Sequence, residues 1–297
     1  MTLVGFIGLG KMGLPMARRL TASGHSLVVL DADRSVIDAF VEEQGGRAAT
    51  HPQEVAELCP TIITMLPSSD IVERVALGNE GLLAASRAET LLIDMTSAAP
   101  ARTRDLATKF AAKGALLIDA PVSGGVPRAR TGDLTIMVGG AEHVIDRARP
   151  LLDCMGSAIL PTGPVGSAHA MKAINNLVSA VGMIAAVEGL LIGREFGLDP
   201  SLMTDIFNVS TAMSNTSQKK LKQFMISRAF NSGFDMALMV KDIGIAMDIA
   251  RAGQRKVPLS ALAEQLWRDA LTAEPGADHT AIARISEQLA GLMLAEA

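Results

Sequence analysis

Gly8-Leu9-Gly10-Lys11-Met12-Gly13 follows the apolar run at residues 3–8 and opens a stretch of helical spacing at 12–23. The three glycines have the spacing of a dinucleotide-binding turn: one for the tight bend, one for close approach of backbone to a pyrophosphate, one for packing helix on strand. The phosphates then lie at the positive end of the helix. Taken alone, the motif describes a plain strand-to-helix turn equally well. The next apolar run, 26–31, separates the two readings, because it ends in Asp31, eighteen residues past Gly13. A carboxylate there accepts hydrogen bonds from a ribose diol. NAD is the expected cofactor, since Asp31 repels a 2′-phosphate and Ala32 offers no guanidinium. Arg34 leaves NADP open: it reads either as a phosphate ligand or as a solvated residue at a helix start.

Outward from this turn, apolar runs at 3–8, 26–31, 61–66, 90–94, 115–121, 134–138 and 157–160 alternate with helical spacing at 12–23, 35–44, 52–58, 71–76, 101–113 and 142–155. Such alternation predicts a mostly parallel sheet with helices on both faces. After Pro161-Thr162-Gly163-Pro164 the strand signal ends, and helical spacing covers 165–196, 199–208, 217–227, 237–252, 258–272 and 280–295. The expected architecture is α/β: a doubly wound dinucleotide-binding domain at 1–162 and an all-helical domain at 163–297, joined by a long interdomain helix. The longest apolar stretch, 177–192, carries Glu188 and is too short to span a bilayer comfortably, so a core helix is expected.

Composition narrows the function. Of 297 residues 49% are hydrophobic but only 3% aromatic, with eight Phe, one Trp and no Tyr, which leaves little to stack on bases or sugars. The 27 basic and 31 acidic side chains give a net charge of −4 without long runs of one sign, which disfavours nucleic acid and anionic membrane as partners. Cys59 and Cys154 cannot build a disulfide framework, and the first residues read as a buried strand rather than a signal peptide, so a reduced, cytosolic setting is expected. His25, His51, His143, His169 and His279 are scattered without ligand spacing, and no metal is expected. His169, three residues before Lys172, is read as helix-face decoration.

The stretch 5–17, Gly-Phe-Ile-Gly-Leu-Gly-Lys-Met-Gly-Leu-Pro-Met-Ala, resembles the opening signature of the β-hydroxyacid dehydrogenases, the group with 3-hydroxyisobutyrate dehydrogenase and tartronate semialdehyde reductase. Three further blocks agree in order and spacing: Asp119 to Gly125, Gly163 to Asn176 with Lys172, and Phe234 to Asp242 with Lys241. The resemblance spans essentially the whole chain and implies a Rossmann-type first domain.

It also implies roles. Gly8, Leu9, Gly10, Lys11, Met12, Gly13 and Asp31 would hold the dinucleotide, with Leu66 and Pro67 lining the cofactor site, Thr96 beside the nicotinamide ribose and Lys241 beside the nicotinamide. Ser123, Gly124 and Gly125 would form a substrate-anchoring loop, Asn176 would orient substrate, and Phe234 would lie against the pocket. Lys172 would be the acid/base, a task a lysine performs if burial and neighbouring dipoles lower its pKa. Read without the resemblance, Pro67 is helix-entry punctuation, Thr96 a helix cap, 123–125 a turn, Lys172 a snorkelling surface lysine, and Lys241-Asp242 a surface pair. Asp242, Asn175 and the polar segment 211–217 receive no role. The expected activity is an NAD-preferring dehydrogenase or reductase of a small 3-hydroxy acid or its semialdehyde. The alternatives are an imine reductase of the same architecture, against which Lys172 argues, and a catalytically silent nucleotide-binding protein. A homodimer or homotetramer is the expected assembly.

Overall fold

The computed structural model describes residues 3–295. Its strands are β1 (Leu3–Ile7), β2 (Ser26–Leu30), β3 (Arg47–Ala48), β4 (Thr61–Thr64), β5 (Leu91–Asp94), β6 (Leu116–Asp119), β7 (Val122–Ser123), β8 (Leu134–Gly139) and β9 (Gly156–Gly163). They form one sheet in the order β3-β2-β1-β4-β5-β6-β8-β7, with β9 also paired to β8. From β3 to β6 every pairing is parallel, whereas β8 runs antiparallel to β6 and β7 and parallel to β9.

Alternate residues of the parallel strands feed two cores. Val4, Phe6, Leu27, Val29, Ile63, Ile93 and Ile118 pack on one face, and Ile7, Val28, Ile62, Leu92 and Leu117 on the other. Burial on both faces is why these strands read as unbroken apolar runs. The register sets Leu30, Ile7, Thr64, Asp94 and Asp119 level with one another, so the loops leaving β2, β1, β4, β5 and β6 start from one edge of the sheet. Strand order reverses between β1 and β4, the place where a doubly wound sheet opens a ligand crevice.

The segment 123–125 differs from the expected loop. Ser123 closes β7, paired with Thr135 of β8, and Gly125 starts the helix Gly125–Thr131. Gly124 at φ +133° and Gly125 at φ +68° make the turn between them, a conformation that L side chains resist. A two-residue strand carries no periodicity, which is why β7 and β3 escape a reading by spacing.

By packing, the chain divides into residues up to Lys172 and residues from Ala173 on, inside the helix Ser167–Glu195. In the second unit Ala180, Met183, Val187 and Leu190 of that helix pack with Leu221, Met225, Met236, Met239, Ile243, Ile282 and Trp267. Trp267 is wholly buried, and its Nε1 donates to the Ala180 carbonyl at 3.4 Å. At 29 residues the long helix is sufficient in length and apolarity to cross a bilayer, which corrects the estimate from the 177–192 run. Its fully buried residues nonetheless give it the place of a core helix.

The other elements of the second unit are the helices Pro200–Asn208, Asn215–Lys219, Met236–Ala252, Pro258–Ala273 and Ile282–Ala290, a π-helical turn Leu221–Ile226 and a 3-10 turn His279–Ala281. The single helix expected at 217–227 is broken at Lys220, where φ is −132°. Among the described residues of this unit the strand-like contact is a lone bridge, Asp235 to Asp278.

Candidate active site

The glycine turn tests itself by the room each glycine leaves. A Cβ on Gly8 (φ +102°) would lie 2.3 Å from the Met65 carbonyl oxygen, and one on Gly13 would lie 1.8 Å from that of Gly8. Both are required by the protein's own packing. Gly10 is different: it is exposed, and a Cβ there would meet nothing within 4 Å. The fold itself does not need a glycine at this position, whereas a pyrophosphate lying on the backbone does. The helix Gly13–Ala22 begins at Met12 without a side-chain cap, so its first N–H groups suit an anion. These features fit a dinucleotide.

Leu9 is buried, and its N–H donates to Asp31 Oδ2 at 2.6 Å, while Asp31 Oδ1 accepts from the Asp33 N–H at 2.9 Å. Asp31 thus ties the glycine turn to the end of β2, and its half-buried carboxylate retains lone pairs beyond those two bonds. Arg34 is held by Asp38, Nε to Oδ1 at 2.9 Å. Lys11 is exposed and Met12 half-buried beside them.

At the neighbouring strand ends Leu66 is half-buried and Pro67 exposed. Thr96 is wholly buried; its hydroxyl accepts from the Leu66 N–H at 3.1 Å, and its own N–H donates to Asp94 Oδ1 at 3.1 Å. Thr96 therefore joins the β4 and β5 loops rather than standing open at the surface. Ser123 is half-buried and Gly124 and Gly125 exposed. Arg128 is paired with Asp133 at 3.1 Å. Lys172, half-buried, ends the first unit on the helix Ser167–Glu195.

One turn along that helix, in the second unit, Asn176 is buried and its Nδ2 donates to Asp242 Oδ2 at 2.6 Å. Asn175 Nδ2 donates to Asn176 Oδ1 at 3.1 Å, and Lys241 Nζ lies 3.3 Å from Asp242 Oδ1. Asp242, which had no role in the sequence, meets both Asn176 and Lys241. Phe234 packs on this unit's core with its ring edge-on to His279, 5.3 Å between centroids.

Below Phe234 lies a cluster that sequence reasoning missed. Asp278 accepts from the Gly233 N–H (2.8 Å), the Phe234 N–H (3.1 Å), Ser232 Oγ (2.8 Å) and both donors of Thr280 (2.9 and 2.6 Å). Burial pushes its carboxyl up, but the bonds from His279, Thr280 and Ser232 outweigh that and hold it well below the usual carboxylate range. Burial likewise lowers His279, and it pushes Lys220 down to about 8 against the pull of Asp278. The available signal was Asp278-His279-Thr280 after a Gly-Ala step, an Asx-type cap at a helix entry. Among the described residues no group of three His, Cys, Asp or Glu side chains is placed to hold a metal ion.

His169 is not decoration. It is 1% exposed, with Nδ1 2.7 Å from Thr103 Oγ1. The i, i+3 step to Lys172 was visible in the sequence; the partner, 66 residues away, was not.

Residues 3–163 match the family described as the NAD binding domain of 6-phosphogluconate dehydrogenase, and residues 166–286 the one described as NAD-binding of NADP-dependent 3-hydroxyisobutyrate dehydrogenase. The chain is 37% identical over 290 residues to 2-(hydroxymethyl)glutarate dehydrogenase of Eubacterium barkeri, covering 97% of this chain and 96% of that one. It is 38% identical over 285 residues to 3-hydroxyisobutyrate dehydrogenase of Pseudomonas aeruginosa, covering 94% and 95%. Among solved structures, Mycobacterium tuberculosis 3-hydroxyisobutyrate dehydrogenase with L-serine is similar at a TM-score of 0.89 and 31% identity, covering 96% of this chain and 98% of that one.

Proposed function

The chain belongs to the β-hydroxyacid dehydrogenase family, and on that premise we propose that it transfers hydride between NAD and a small 3-hydroxy acid or its semialdehyde, with Lys172 as general acid and base. Its class is an NAD(P)-dependent hydroxyacid dehydrogenase acting on a small-molecule substrate. The observation that carries the finer reading is the bond from Asn176 to Asp242, which links two of the resembling blocks and orients an amide one turn from Lys172.

When bound, the nicotinamide would supply the hydride acceptor or donor. Lys172, as the neutral amine, takes the hydroxyl proton during oxidation, and as the ammonium returns it to the carbonyl oxygen during reduction. Ser123 and the N–H groups at Gly124 and Gly125 bind the substrate carboxylate, Asn176 orients the reacting oxygen, and Phe234 closes the apolar side. Gly8, Leu9, Gly10, Lys11, Met12, Gly13 and Asp31 would hold the dinucleotide, and Leu66, Pro67, Thr96 and Lys241 would serve its nicotinamide end. Preference for NAD over NADP rests on Asp31 and on Arg34 being engaged by Asp38.

A homodimer or homotetramer is proposed, since Ile192, Phe196, Leu202, Ile206 and Val209 are each more than half exposed; the proposed setting is the cytoplasm. The decisive experiment follows reduced nicotinamide over a panel containing 3-hydroxyisobutyrate, 2-(hydroxymethyl)glutarate and cyclic imines, with NAD and NADP in parallel. Lys172→Ala should lower turnover with hydroxy acids by about two to four decades and leave dinucleotide affinity nearly intact. Undiminished turnover in that variant overturns the assignment of Lys172, and turnover of imines alone overturns the hydroxy-acid reading.

A further inference from the structure

The helix that carries Lys172 starts against a wholly buried carboxylate. Asp119, the last residue of β6, accepts the Gly166 N–H on Oδ1 at 2.7 Å and the His169 N–H on Oδ2 at 2.8 Å. These donors sit on one helical turn, three residues apart, so a single rigid group defines both how far the helix stands from the strand and how it is rotated about its axis. The carboxylate has no freedom of its own: it is level with Asp94 in the sheet, and a Cβ on Gly139 of β8 would lie 2.4 Å from its Oδ1.

A second contact acts on the same turn. His169 Nδ1 meets Thr103 Oγ1 at 2.7 Å, and Thr103 belongs to the helix Pro100–Ala111 that follows the Thr96 loop. Its Nε2 is buried without a hydrogen-bond partner, 4.0 Å from Asp94 Oδ2. Thr103 Oγ1 also donates to the Ala99 carbonyl at 3.1 Å, which ties the His169 contact to the start of that helix. Asp94 in turn holds Thr64 and Thr96. The first turn is therefore pinned to the β6 end, four residues before Ser123, and to the neighbour of the Thr96 loop, while Lys172 lies one turn further on.

We infer that Asp119 and His169 are positioning residues for Lys172, setting its distance and angle to the strand ends that lead into Ser123 and Thr96. This rests on the reading of Lys172 as the acid/base. Misplacement by about 1 Å costs a reaction on the order of a hundredfold, so small losses at this clamp are magnified in turnover.

The test measures kcat and KM with whichever of 3-hydroxyisobutyrate and 2-(hydroxymethyl)glutarate the wild-type chain oxidises faster, NADH affinity by fluorescence titration, and thermal melting. The full-length variants are Asp119→Asn, Gly139→Ala, His169→Ala, His169→Asn and Lys172→Ala, all assayed well below their melting temperatures. Asp119→Asn and His169→Ala should lose tenfold or more in kcat with NADH affinity within twofold. His169→Asn, whose amide stands where Nδ1 does, should recover most of the loss. Gly139→Ala, which displaces the carboxylate without changing its chemistry, should behave like Asp119→Asn. A folded Asp119→Asn with a kcat within twofold of wild type overturns the inference; if that variant does not fold, an undiminished kcat in His169→Ala does the same. Lys172→Ala separates the two readings: if it is inactive while the clamp variants are unimpaired, only this inference fails, and if it is active, the acid/base assignment fails.

Discussion

Gly10 and Gly13 look equivalent in the sequence and differ in their physics. Gly13 is closed by the Gly8 carbonyl oxygen, 1.8 Å from where a Cβ would stand, whereas nothing lies within 4 Å of the corresponding point at Gly10. Gly13→Ala should therefore destabilise the protein, by about 1–3 kcal/mol in a chemical denaturation series. Gly10→Ala should melt like the wild type yet raise the KM for NAD at least tenfold. An unchanged KM in Gly10→Ala would mean that the dinucleotide does not lie on that face. The dinucleotide turn was legible because its information is local: three glycines and one carboxylate within 24 residues that one strand-turn-helix-strand unit must bring together. Thr96 was less legible. Its residue type suits a cap or a ligand, and only the Leu66 N–H shows that the hydroxyl braces two loops.

At the scale of elements, the turn around Asp278 binds the segment carrying Phe234 to the entry of the last helix. Its carboxyl is held well below the usual range, so the unfolded chain takes up a proton there before the folded one does. The stability it contributes is fully present above the ordinary carboxylate pKa, roughly pH 5 and up, and is lost as pH falls below about 4. His279 acts in the same direction: burial lowers it, so the unfolded state gains the proton first as pH drops through about 6.5. Asp278→Asn should cost about 1–3 kcal/mol at pH 7. The gap to wild type should narrow between pH 5 and pH 3. Fluorescence of Trp267, buried in the core of the same unit, reads both transitions in urea, and a gap independent of pH would contradict the assignment. Spacing predicted these helices well and their breaks poorly. The interruption at Lys220 and the turn at 278–280 depend on side chains packed from other elements, which a 3.6-residue period does not encode.

For the whole molecule, the low aromatic content acquires a structural meaning. Methionines fill the second core around the one tryptophan, and Phe234 is the aromatic among the proposed substrate residues, which suits a short, non-planar acid. Apolar side chains are also left outside: Val209 is 85% exposed and Phe196 84%. Sedimentation velocity should show a dimer or tetramer, and Phe196→Asp with Ile206→Asp should shift it toward the monomer; a wild-type chain that sediments as a monomer ends the proposal of a homo-oligomer.

By itself the sequence determined the architecture, a parallel sheet followed by helices, because burial on two faces of a sheet and one face of a helix imposes periods that survive in any single segment. It also determined the glycine turn with Asp31, for the same reason of short range. Only the tertiary structure decided which buried polar groups pair within each unit: Asp119 with Gly166 and His169, separated by 47 and 50 residues, and Asn176 with Asp242, separated by 66. A buried carboxylate must find donors wherever the fold brings them. The identity of those donors is a property of the packed chain and leaves no period in its sequence.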